Sequence, residues 1–90
     1  MDQEKIKKDW DFRGYSFGIF KDPPGKIWAD FVHRTAELVV LVEGEIEIEI
    51  EGNSEQPSIG EEIIIPANAL QTVINVGKTN NVWYYGHKNT

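Results

Sequence analysis

Ninety residues with 40% hydrophobic content suffice for one compact domain and make one the ceiling. Fifteen acidic residues against nine basic give a net charge of -6, which repels a polyanionic backbone and leaves no basic stripe for nucleic acid. There is no cysteine, so a disulfide framework, a thiolate metal site and a cysteine nucleophile are all excluded.

Residues 1–12 read as a charged N-terminal lead-in and residues 13–90 as the folded domain. The lead-in lacks the apolar core of a signal peptide, and no apolar run reaches membrane-spanning length. A soluble cytoplasmic protein without a membrane partner is the expectation. Trp10 and Phe12 begin an alternation carried on by Tyr15, Phe17 and Ile19 on one face and by Ser16, Gly18 and Phe20 on the other, which predicts a strand. Asp22-Pro23-Pro24-Gly25 ends it, because two prolines remove donors and a glycine accepts a positive φ. The next strand, 27–34, places Ile27, Ala29, Phe31 and His33 on one face and Trp28, Asp30, Val32 and Arg34 on the other.

From Glu37 to Val42 the chain is apolar on both faces, which a strand tolerates only when each side is covered. One side predicts the domain interior, the other a partner subunit or the N-terminal strand, and on this ground a homodimer is expected. Glu43-Gly44 signals a turn, after which the segment 45–51 alternates glutamate with isoleucine, the isoleucines inward and the glutamates in water. Gly52-Asn53-Ser54 reads as a turn. Ile63-Ile64-Ile65 reads as a short buried strand stopped by Pro66, and strands follow over 71–76 and 82–86. In the last of these Trp83 and Tyr85 share a face, so one face looks inward and the other outward. Trp28, Trp83, Tyr84 and Tyr85 are candidates for a pocket mouth, with core or dimer contacts the more usual fate of such rings. His87, beyond that strand, reads as a tail residue. Short strands between turns, with no helical periodicity of useful length, predict an all-β antiparallel sandwich or barrel.

The spacing then becomes specific. Gly25, Phe31, His33, Glu37 and Gly44 stand at the intervals of G-x5-H-x-H-x3-E-x6-G, and Gly60, Pro66, Asn68, Gln71 and Asn75 at those of G-x5-P-x-G-x2-H-x3-N. Seven of these ten positions carry the motif residue; Phe31, Asn68 and Gln71 do not. The pattern resembles the two motifs of the cupins. That resemblance implies a double-sheet jelly-roll β-barrel, commonly a dimer, with a pocket where the motif residues converge. It implies no single activity, because the family spans enzymes, storage proteins and ligand-binding domains.

In metal-binding cupins three histidines and a glutamate surround a divalent ion. The matching positions here hold Phe31, His33, Glu37 and Gln71, and Phe31 cannot coordinate. His33, Glu37 and Gln71 therefore form a weaker candidate metal set, with Phe31 as an apolar wall of the ligand pocket. An inward Glu37 needs a partner, and His33 and Gln71 are the natural ones. The leading reading is a small single-domain cupin that binds a small molecule and has room for a weakly held divalent metal ion. The alternative is a metal-dependent enzyme of oxygenase or isomerase type that uses His33, Glu37 and Gln71, the first two as an acid and base pair. A filled domain with no cavity beside Glu37 would mark a purely structural module.

Overall fold

The computed structural model describes residues 1–89. Helix α1 (Gln3–Phe12) precedes eight strands: β1 (Gly18–Asp22), β2 (Ile27–Val32), β3 (Glu37–Glu43), β4 (Glu47–Ile50), β5 (Asn53–Glu55), β6 (Glu62–Ile65), β7 (Leu70–Ile74) and β8 (Asn81–His87). They form two four-stranded antiparallel sheets, ordered β1-β8-β3-β6 and β2-β7-β4-β5. Apart from the β4-β5 hairpin, each strand crosses from one sheet to the other, which is jelly-roll connectivity. The sheets remain separate hydrogen-bonded ladders, so the expected barrel is a double-sheet jelly roll and not a closed cylinder.

The alternation seen in the sequence builds the space between the sheets. Ile46 and Ile48 are buried while Glu49 faces water. Val39, Leu41, Ile63, Ile65, Val73 and Trp83 join the isoleucines in one core. Ile64, expected to be buried with its neighbours, points outward and is exposed, because a strand residue between two inward ones faces the opposite side. The turn expected at Gly52-Asn53-Ser54 begins one residue earlier. Glu51 and Gly52 have φ of 48° and 82°, the pair of positive values a two-residue type I′ hairpin requires, and Asn53 and Ser54 already belong to β5. The motif residues Gly25, Gly44 and Gly60 all have positive φ, and Asn68 keeps that conformation (φ 65°) where the motif has glycine. Asn75 holds the turns around it, donating to the carbonyls of Asp22 and Thr79 and accepting from the Gly77 amide.

The N-terminal segment corrects the strand expected from Trp10. It is helical because Asp2 caps it, accepting from the Lys5 amide, and because Gly14 (φ 85°) closes it. Gly14 N–H donates to Asp11 and Tyr15 N–H to Trp10, a Schellman motif. Ile6 and Trp10, four apart, lie on the face that packs against the sheet. Phe12, which the alternation paired with Trp10, is exposed.

This helix settles what covers the outer face of β3. Trp10, Tyr15 and Phe17 pack on Leu38, Val40 and Tyr84 to make a second core outside the first sheet. Leu38 and Val40 are buried within the single chain, so the face from which a dimer was inferred has an intramolecular cover. Arg13 straps the helix down, both guanidinium arms donating to the Glu62 carboxylate at 2.9 Å, and the Trp10 indole N–H donates to the same group at 3.1 Å. The hydrogen bonds from Arg13 hold the Glu62 carboxyl below its ordinary range and raise the guanidinium further still. No helix among the described residues is long and apolar enough to cross a membrane.

Candidate functional site

Two cross-strand pairs face each other between the sheets. Glu37, the first residue of β3, lies opposite His87, the last of β8, in one sheet. In the other, Phe31 of β2 lies opposite Gln71 of β7. His33 follows the end of β2, its carbonyl accepting from the Asn68 amide at 2.7 Å. All five line one cavity of about 160 Å³, whose walls are completed by Phe20, Trp28, Val73, Trp83 and Tyr85.

A β-bulge decides the composition of that wall. The register moves from Trp28 opposite Val73 to Phe31 opposite Gln71, so three residues on β2 span two on β7. Asp30 takes the strain at φ 57°, with its amide donating to Thr72 Oγ1 at 3.1 Å. The extra residue resets the alternation. Trp28 therefore joins Phe31 and His33 at the cavity, while Ile27, expected on their face, is exposed.

Glu37 and Gln71 are buried and bridge the sheets, Gln71 Nε2 donating to Glu37 Oε1 at 2.8 Å. His33 Nε2 lies 3.6 Å from the same oxygen. Both partners expected for Glu37 are thus beside it. The amide nitrogen of Gln71, and not its oxygen, faces the carboxylate; Oε1 is buried and has no hydrogen-bond partner among the described residues.

His87, read as a tail residue, belongs to the site. Its ring lies 4.5 Å from that of His33, and one donor atom from each of His33, Glu37 and His87 falls within 4.8 Å of the others. The signal was present in the sequence: Trp83, Tyr85 and His87 are two apart, so continuing β8 by one residue carries His87 inward with the two aromatic rings. Tyr84, on the other parity, packs under the helix.

Asp22, buried at the end of β1, organises the aromatic wall. Its Oδ2 accepts from the indole N–H groups of Trp28 and Trp83, each at 3.0 Å, tying the two sheets together. Both tryptophans consequently offer the cavity ring surface rather than a donor.

Two imidazoles and a carboxylate suit a divalent transition metal, matching both the His₂Glu sets of zinc enzymes and the two-histidine-one-carboxylate triad of non-haem iron. Ligand nitrogens about 2 Å from one ion stand roughly 3–3.5 Å apart. The donor atoms, within 4.8 Å of one another, stand wider than that, and both imidazoles that would have to move are partly exposed.

No family model matches the chain, and no curated protein matches its sequence. Solved structures do. The plu4264 protein of Photorhabdus luminescens superposes with a TM-score of 0.76 at 21% identity, over 83% of this chain and 62% of that one. The Cnp3 cupin domain of Schizosaccharomyces pombe gives 0.78 at 18% identity, over 86% and 57%. An oxalate oxidase in complex with the substrate analogue glycolate gives 0.75 at 25% identity, over 84% and 42%. The chain thus spans less than two thirds of the length of each.

Proposed function

We propose that this chain, a cupin by fold, binds a small molecule between its sheets and holds a divalent metal ion through His33, Glu37 and His87 at the polar end of the same cavity. One observation carries the reading: three ligand-type side chains from β3, β8 and the loop after β2 converge beside an aromatic-walled cavity. Gln71, the third residue of the sequence-derived metal set, serves in this reading to orient the Glu37 carboxylate. A bound ion would polarise an oxygen or nitrogen of the ligand as a Lewis acid.

Calorimetric titration of chelator-stripped protein with Zn²⁺, Mn²⁺ and Ni²⁺ tests this. One site per chain is expected, weakened about tenfold or more in His33→Ala and in His87→Ala. Tight stoichiometric binding that survives both substitutions, or none in the wild type, would defeat the assignment.

The enzymatic alternative is favoured by the 3.6 Å approach of His33 to Glu37, close enough for proton exchange through a bound molecule. Turnover of small carboxylic acids by metal-loaded protein, abolished in Glu37→Gln at metal concentrations raised until that variant's weakened site is also filled, is the outcome that reading requires. The homodimer stands as a proposal on other ground, the exposed Ile27, Val32 and Leu70 on β2 and β7. A solution mass of one chain removes it.

A further inference from the structure

We infer that the aromatic end of the cavity takes an alkylated ammonium group, the cationic head of a small organic molecule, on the ring faces of Trp28, Trp83 and Tyr85. The inference rests on the small-molecule reading above and goes beyond it by naming the charge and the kind of head group. The metal set at the polar end takes no part in it.

The wall supplies its rings as one continuous surface. Phe20 lies at the centre, its ring centroid 5.1 Å from that of Trp28, 4.9 Å from Trp83 and 4.5 Å from Tyr85, and all four residues line the cavity. The face of an aromatic ring carries the negative part of its quadrupole, which attracts a cation and offers a neutral group of the same shape only packing. One such contact already exists in the fold: Lys26 Nζ lies over the Trp28 ring, 4.4 Å from its centroid. Lys26 is exposed and does not line the cavity. Phe20, Trp83 and Tyr85 have no cation over them among the described residues.

Asp22 adds charge behind those rings. It is buried and forms no ion pair among the described residues, its Oδ2 accepting instead from the indole N–H groups of Trp28 and Trp83. An indole that donates to a carboxylate gains electron density in its ring, which strengthens the pull of its face on a cation. The carboxylate's own charge also acts through protein, where it is screened far less than in water. A neutral ligand gains from neither effect. Size is compatible as well: the cavity of about 160 Å³ is close to an apolar protein cavity of about 150 Å³ known to hold benzene, and a trimethylammonium head is comparable in bulk to that ring.

Choline and its neutral carbon isostere 3,3-dimethylbutanol test this, since they share one shape and differ in whether the quaternary atom is a charged nitrogen or a carbon. Chelator-stripped protein is titrated with each and followed by ¹H–¹⁵N NMR at the indole N–H groups of Trp28 and Trp83. Choline should shift both signals and bind at least about fivefold more tightly than the alcohol. Tyr85→Leu, which removes a ring and keeps apolar bulk, should lose most of that preference. A general attraction of cations to a chain of net charge -6 would survive the substitution, so a preference unchanged in Tyr85→Leu overturns the ring-face assignment. Equal affinities in the wild type, or tighter binding of the alcohol, overturn the cation and leave the small-molecule reading standing. If neither compound shifts an indole signal, the inference fails together with the small-molecule reading for ligands of this size. The wild-type comparison needs no variant, so a Tyr85→Leu protein that fails to fold does not protect the inference.

Discussion

Removing the Asp22 carboxylate should cost this domain a large part of its stability, because one oxygen satisfies two indoles from opposite sheets. Trp83 is buried, and its N–H has no access to water once Oδ2 is gone; leaving such a donor unpaired costs about 2–3 kcal/mol. The bond from Trp28 is only partly buried, so its N–H can rehydrate, and about 1 kcal/mol is the fitting figure there. Asp22→Ala should therefore destabilise by about 3–4 kcal/mol, against a total of about 5–15 for a typical domain. Asp22→Asn can place its amide oxygen where Oδ2 stands and keep both bonds without the charge, for a loss of about 1 kcal/mol. Urea unfolding followed by circular dichroism measures both. The ¹⁵N spectrum adds a check of location: of the three indole signals, those of Trp28 and Trp83 should move in Asp22→Ala while that of Trp10, bonded to Glu62, stays in place. An alanine variant within about 1 kcal/mol of wild type, or an asparagine variant as damaging as alanine, would refute the reasoning.

Helix α1 offers two further tests. Trp10→Ala should cost about 3–5 kcal/mol in the same unfolding assay, the usual loss for a large buried ring. Gly86→Ala should be at least as damaging, since a Cβ on β8 would meet the Trp10 ring at 2.8 Å and the Ser16 carbonyl closer still. The strap between Arg13 and Glu62 gives a pH dependence. Glu62 is held below its ordinary value of 4.5 by Arg13, so its contribution is complete above about pH 4.5 and disappears as pH falls through the lowered folded-state value. Acid unfolding curves of wild type and Glu62→Gln should accordingly converge at low pH and separate above it, and parallel curves would contradict the strap.

Much of the fold was legible in the chain itself because its signals are local. Alternation of Ile46 and Ile48 with glutamates requires only the period of a strand, and Gly25, Gly44, Gly60 and Pro66 mark turns by their own backbone limits. The motif spacing singles out Phe31, His33, Glu37 and Gln71, and these four side chains line one cavity. The helix was within reach too: Asp2, Gly14 and the pair Ile6 and Trp10 are cap and face signals, outweighed by a chance alternation of Trp10 with Phe12.

Other features had no local signature. The bulge at Asp30, which turns Trp28 into the cavity, exists only in the register between β2 and β7. His87 becomes a site residue because β8 pairs with β3 far enough to set it opposite Glu37. The cover of Leu38 and Val40 depends on where α1 folds back, and a two-sided apolar strand reads the same whether a partner or the chain's own helix lies on it. Period and turn chemistry are properties of a few neighbouring residues and can be read in order. Which strand lies beside which, and in what register, depends on contacts between residues tens of positions apart, and the polar end of the cavity was decided there.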